Sequence, residues 1–407
     1  MKSYNIEKIA LLGVFFPFFM FVPITSEVQP ISLLFWIIVV IFYNRVPIEL
    51  SKYMMVCAFI ISINLILQSV TGDFIASRFL TSSVLIALPI ITYCFIKTTD
   101  TVDNLPLMIK VMVVWFLFSA IQSVAPSVFS STGIDSIIQI LIPRFSSSFV
   151  NEGRGVTGLA PEPSYAAYVY LSLIVWLWYL KSTEQIDNQN TFIIYGFLLL
   201  CLIMNKSIFG IMVLGFSVFL FIPKKIIFII TTILFFLIIG GSGSRFVDFI
   251  NSAMLIRSFN EFMILLQSFS STREIGVITG YYGIIDNPFG VGIGGNSEKF
   301  FEIMSSFSFL MVERYDNIIG VGVGRPYSYF SFLVFEIGVL ITPLIIIFIS
   351  NINTRKIIFM CITHKGYFVV LVFSIFLVLL RSPVSMPSPM ICIALAVRLS
   401  LVKSNES

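Results

Sequence analysis

The chain has 407 residues, of which 57% are apolar and only 11% charged, with a formal net charge of +4. Soluble globular domains carry about a quarter charged residues, so this balance excludes a soluble enzyme or binding module. The Lys and Arg residues are scattered rather than clustered, which excludes a nucleic-acid-binding surface as well.

The first eight residues carry charge and lead into an apolar run to about Thr25. That run is bulky, rich in Phe and Pro, and has no small-residue cleavage site, so it reads as an uncleaved first helix rather than a signal peptide. Apolar runs long enough, or nearly so, to cross about 30 Å of hydrocarbon lie at 9–25, 30–43, 53–70, 78–96, 107–125 and 163–180. Six more follow at 191–205, 207–222, 226–241, 326–350, 367–381 and 386–402. The expected fold is an all-α integral membrane protein of about 12 transmembrane helices. Residues 1–241 supply helices one to nine and include an outer loop at 126–162; residues 242–325 form a large, partly helical extracytoplasmic loop; residues 326–407 supply the last three helices. Only Asn205-Lys206-Ser207 divides 191–222, and were that pair one kinked span, every later element would change sides.

Positive charge in short loops sets orientation. With both termini cytoplasmic, eleven of thirteen Lys fall inside, whereas nine of twelve Arg fall outside: Arg78, Arg144, Arg154, Arg245, Arg257, Arg273, Arg314, Arg325 and Arg381. Arginine presents a planar fork of donors suited to phosphate or carboxylate, and lysine only a point charge. An outer surface that keeps Arg and excludes Lys suggests a bound anion; pairing with Asp248, Glu261, Glu274 or Asp316, or anchoring to lipid phosphates, is the alternative. The cysteines (Cys57, Cys94, Cys201, Cys361, Cys392) fall in spans or near the inner face, and suggest neither a disulfide framework nor a thiol metal site. The one histidine, His364, falls in a cytoplasmic loop, which removes an outward histidine base or histidine zinc site. Catalysis is expected to need no metal or cofactor.

The two outer segments are too long to be simple connections. The first, 126–162, holds an amphipathic piece at Ile134–Ile142 and then the polar stretch SSSFVNEGRGVTGLAPEPSY. The second, 242–325, has helical spacing at 246–269 and 297–315. Glu162, between Pro161 and Pro163 at the start of the sixth span, is either a rigidly mounted base at the positive end of a helix dipole or a capping carboxylate assisted by Ser164. Arg154 lies between Gly153 and Gly155, where the backbone either folds closely round a ligand or makes a plain turn. Arg273 opens a helical stretch that ends in a glycine-rich turn at Gly290–Gly295, matching neither a Walker loop nor a dinucleotide fingerprint; its glycines are phosphate-facing or merely hinges. GVGVGRP ends at Arg325 before the tenth span, so Arg273 and Arg325 bracket the loop.

Three stretches, GRGVTGLAPEPSYAA at 153–167, REIGVITGYYGIIDNPFGVGIGGN at 273–296 and RPYSYFSFLVFEIGVL at 325–340, resemble the O-antigen polymerase (Wzy-type) family within the O-antigen ligase/polymerase superfamily. The resemblance implies a glycosyltransferase of the lipid-carrier type in the bacterial inner membrane. It would join oligosaccharide units carried on undecaprenyl pyrophosphate at the periplasmic face, with membrane lipids and a chain-length regulator protein as further partners. By this likeness Arg273 matches the arginine that starts the conserved loop motif, and 288–295 its end. Ligase members often carry a histidine before the tenth span; here Tyr327 stands at that position, with Ser328 beside it, which counts against ligase activity. The assigned roles are Arg154, Arg273 and Arg325 on the pyrophosphate, Tyr327 beside them, and Glu162 as the acceptor's base. An O-antigen ligase is the alternative within the superfamily; a flippase or transporter is the alternative from another class.

Overall fold

A computed structural model gives the fold and describes residues 2–20, 28, 35–39, 48–71, 76–142, 144–151, 155–221, 272–294, 297–307, 324–350 and 354–402. The chain is all-helical, with 80% helix and no strand among the described residues. Helices satisfy every backbone N–H and C=O internally, which an apolar chain in lipid requires. In chain order the principal ones are α1 (Lys2–Phe15), α2 (Ile48–Thr71), α3 (Ala76–Ile86), α4 (Leu88–Thr98), α5 (Leu105–Val124), α6 (Pro126–Ser131) and α7 (Ile134–Leu141). They continue with α8 (Pro163–Ser182), α9 (Asn188–Asn205), α10 (Ile208–Phe221), α11 (Thr272–Asp286) and α12 (Ser297–Phe307). The last are α13 (Tyr329–Ile337), α14 (Ile341–Ser350), α15 (Thr354–Thr363), α16 (Lys365–Leu380) and α17 (Ser388–Val402).

Three helices among the described residues are long and apolar enough to cross a membrane: Leu105–Val124, Asn188–Asn205 and Tyr329–Ile347. The count rises to five if two bent pairs each form one span, Arg78–Ile86 with Leu88–Lys97 at 45° and Arg355–Thr363 with Lys365–Leu380 at 117°. The first bend falls where Pro89 removes a helix donor. The expected span at 226–241 and the helical spacing at 246–269 lie outside the described residues.

The twenty residues of α8 reach about 30 Å, and every side chain from Tyr165 to Leu180 is buried. A helix covered on all faces occupies the centre of a bundle. Around it pack α1, α5, α9, α10 and α17. Such a helix meets no lipid, which is why it can hold many Tyr and Trp whose polar tips find partners: Tyr170 meets Ser119 Oγ at 2.7 Å and Trp176 Nε1 donates to Val102 O at 2.6 Å.

The far end of α8 is fixed by polar contacts. Arg398 Nη2 pairs with Asp103 at 2.6 Å, its other donors reach Tyr179 and the carbonyls of Ile96 and Thr99, and buried Glu7 accepts from Thr99 at 2.7 Å. At the opposite end Tyr168 donates to Arg381 O at 2.8 Å.

The division of 191–222 resolves into a hairpin. Tyr195 meets Ser217 Oγ at 3.1 Å and the Phe221 ring at 4.5 Å, so α9 and α10 run antiparallel about Lys206, which turns the chain at φ 51°. One kinked helix could not bring residues 195 and 221 together. The expected span at 326–350 contains the span-length helix Tyr329–Ile347, which Gly338 (φ 53°) interrupts between α13 and α14 with a 3-10 turn over Gly338–Leu340.

Candidate functional site

Glu162 caps the start of α8 through its main chain: its carbonyl accepts from the amides of Tyr165 at 3.1 Å and Ala166 at 3.3 Å, while its side chain makes no capping bond. The carboxylate points instead to Arg144 Nη2 at 3.1 Å, with Ser164 Oγ at 3.5 Å on the other oxygen. The capping alternative is therefore corrected. Arg144 is held at φ 63°, a left-handed conformation that costs a non-glycine residue about 1–2 kcal/mol, and strain of this kind concentrates at functional sites. The Arg144 side chain is 63% exposed and that of Glu162 only 13%, so the carboxylate is largely shielded while its partner stays in water.

The stretch that delivers Glu162 is tied to two helices. On α5, Gln122 Oε1 accepts from the amides of Thr157 and Gly158, both at 2.9 Å. At the end of α9, Asn205 Nδ2 donates to Val156 O at 3.1 Å and Pro163 O at 2.7 Å. Gly155 (φ 96°) fits because a Cβ there would stand 1.8 Å from Asn205 O. Its close approach is thus to the chain's own backbone and not to a ligand. Asn205, read from the sequence as a mere divider between spans, is a strut of the site.

Tyr327, at the start of the tenth expected span, faces the same place: its hydroxyl lies 3.3 Å from that of Tyr165, one helical turn beyond Glu162. The end of α16 gathers these elements, since Leu379 O accepts from Tyr281 at 2.5 Å and from Ser328 at 2.7 Å, and Ser382 O from the Tyr329 amide at 3.2 Å.

Arg325 is half-buried and donates to Gly294 O at 3.4 Å. Burial pushes its guanidinium below the ordinary arginine range; the neighbouring Glu336 carboxylate opposes this, and Arg78 adds to it. Arg273 occupies the first turn of α11, as the sequence suggests, but its side chain lies outside the described residues, and so does Arg154. The carboxylates Asp248, Glu261 and Asp316 and the side chain of Glu274, weighed as arginine partners, lie there too.

The glycine-rich turn has a different task from either one expected. The Val291 amide donates to Phe335 O at 2.9 Å and the Gly292 amide to Glu336 O at 3.0 Å, while Pro288 O accepts from the Val339 amide at 2.8 Å. These are the backbone groups that the break at Gly338 leaves without helical partners. With the Gly290 amide donating to Asn287 O at 2.9 Å, three of the turn's amides are used and do not face a phosphate. The fit is close: a Cβ on Gly290 would come within 2.3 Å of Glu336 O. Beside α13 an apolar cavity of about 150 Å³ lies between Tyr53, Tyr93, Tyr329, Leu333, Leu344 and Ala394.

Composition and fold together give an all-helical chain with three to five candidate membrane-spanning helices among the described residues, and with polar clusters at the two ends of its central helix, one around Glu162 and Tyr327 and one around Arg398 and Asp103. The chain matches no protein-family model, no curated protein and no solved structure.

Proposed function

We propose that the protein polymerises oligosaccharide units carried on undecaprenyl pyrophosphate, at the outer face of the bacterial inner membrane, in a twelve-span topology with both termini cytoplasmic. The observation that carries this reading is the convergence of Glu162, Tyr165 and Tyr327 at one end of an apolar bundle. In the reaction the acceptor hydroxyl loses its proton to Glu162 and attacks the anomeric carbon; the carbon–oxygen bond to the pyrophosphate breaks, and its negative charge develops on the leaving oxygen. Arg154, Arg273 and Arg325 hold that pyrophosphate, and fixed guanidinium groups aimed at developing charge lower the barrier without a metal. The apolar cavity beside α13 suits part of the carrier's isoprenoid chain. Incubating the purified protein with one lipid-linked repeat unit tests the reading: a ladder of lengthened products without a core acceptor is expected, whereas lengthening only on addition of a lipid A core would identify a ligase.

One observation favours a second reading, a flippase or transporter. Span interiors in the sequence hold almost no charge, which counts against that class, yet Glu336 lies buried beside a helix break, an arrangement typical of transport sites. Movement of a lipid-linked unit across vesicles without lengthening would select it.

A further inference from the structure

Val114, Leu117, Ile121 and Val124 stand exposed three or four residues apart along α5, an apolar stripe on one face of a helix long enough to span a membrane. The chain turns at Pro126, and the apolar exposure continues past the turn. Val128 on α6 is exposed, and α7 presents Ile137, Ile140 and Leu141 on one face, 61%, 72% and 45% exposed, while Ile138 and Ile142 beside them are buried. No charged residue occurs between Lys110 and Asp135. The polar arc of α7 turns to the chain itself: Asp135 Oδ2 accepts from the Ser147 hydroxyl at 2.6 Å and the Ser147 amide at 3.3 Å, and Gln139 Nε2 donates to Phe145 O at 2.7 Å. What remains outward is aliphatic, with no aromatic or arginine anchor of the kind that carries protein–protein contacts. It suits lipid chains, and it adjoins the stripe of α5. At eight residues, about 12 Å, α7 is too short to cross the bilayer, and its two unlike faces suit the boundary between headgroups and acyl chains.

We propose that α7 is an interfacial helix whose Ile137, Ile140 and Leu141 enter the headgroup–acyl boundary of the bilayer beside the C-terminal end of α5. Arg144 follows two residues after Ile142 and pairs with Glu162 at 3.1 Å, so the helix sets the level of that pair against the membrane surface. The inference goes beyond the polymerase reading and rests only on α5 crossing the membrane.

The test is quenching of a thiol-linked fluorophore on the full-length protein, reconstituted at one copy per lipid nanodisc so that no second copy can cover the face. Cys361→Ser removes the half-buried thiol, and the other four cysteines are buried. The phospholipids carry bromine either near the headgroup or near the end of the acyl chains, and iodide probes from water. Labels on Ile137→Cys, and on Ile140→Cys as a repeat, should lose more emission to the shallow bromine than to the deep bromine or to iodide. A label on Val114→Cys, halfway along α5, should lose most to the deep bromine, and one on Gln139→Cys, on the polar arc, most to iodide. Unfolding temperatures of the labelled variants, followed in parallel, identify any that has lost its fold. Quenching at 137 and 140 chiefly by iodide would put the face in water, chiefly by deep bromine in the bilayer core, and by none of the three against protein. Each of those results overturns the proposal and leaves the polymerase reading standing. A label at 114 that no bromine reaches would overturn the spanning of α5, and the proposal with it.

Discussion

Tyr165 and Tyr327 lie 162 residues apart in sequence, and their hydroxyls meet at 3.3 Å. The contact joins the start of the central helix to the segment leading into α13, and so sets Glu162 and Arg325 on a common frame. Its contribution is expected to be small, because a long hydrogen bond between neutral groups adds about 0.5–1 kcal/mol. Tyr165→Phe, Tyr327→Phe and the double variant should show a coupling of that size in thermal unfolding. Strictly additive losses would mean that the two hydroxyls do not interact.

Substitutions at Glu162 and Arg144 separate the proposed base from its ion-pair partner. Glu162→Gln keeps the shape but cannot take a proton, and should reduce chain lengthening roughly a hundred- to ten-thousandfold, the range for loss of a general base. Arg144→Ala removes a partly exposed ion pair that contributes about 1 kcal/mol, so lengthening should fall less than about fivefold, with the difference shrinking at high salt. Equal effects from the two variants would assign the site's function to the ion pair instead.

The helix break gives a contrast between two glycines. Gly290→Ala drives a methyl group to 2.3 Å from Glu336 O, and Gly133→Ala, at φ 72°, meets nothing within 4 Å. The first is expected to destabilise by about 3 kcal/mol or more, through backbone displacement and the lost amides at the break. The second should cost only the left-handed conformation, about 1 kcal/mol. Unfolding temperatures of the two variants in detergent check the order; similar values would show that the turn does not dock on the break.

Orientation is open to labelling. After replacement of half-buried Cys361, Arg144→Cys and Lys365→Cys should react with an impermeant thiol reagent from opposite faces of the membrane, the first from outside. Reaction of both from one face would overturn the odd number of spans expected between them, and reaction of Arg144→Cys from inside only would remove the outer site.

Much of the helical layout is legible in the sequence, because a segment that must satisfy its own backbone in lipid shows itself as an apolar run. The short amphipathic helix Ile134–Leu141 and the helix Ser297–Phe307 are legible for a related reason, their helical spacing. The break at Gly338 is not, since one glycine within Phe335–Leu340 looks the same in a straight span and a broken one. Within the site, Glu162 is marked by its flanking prolines, and Arg325 and Tyr327 by their place before a span. The partners are hidden: Arg144 sits 18 residues upstream and Ser82 254 residues from Glu336, and only folding brings them together. Glu336 did carry a signal, an ionisable residue within a span, which is by default a functional hypothesis.

The stretch from Val156 to Pro163 hangs between Gln122 on α5 and Asn205 at the end of α9, and both of those helices are long and apolar enough to cross the membrane. Spanning helices answer to the thickness of the bilayer by tilting. A change in the spacing of α5 and α9 would be carried through these two amide side chains to the Glu162 carboxylate, and would make the position of the proposed base sensitive to the lipid around the protein.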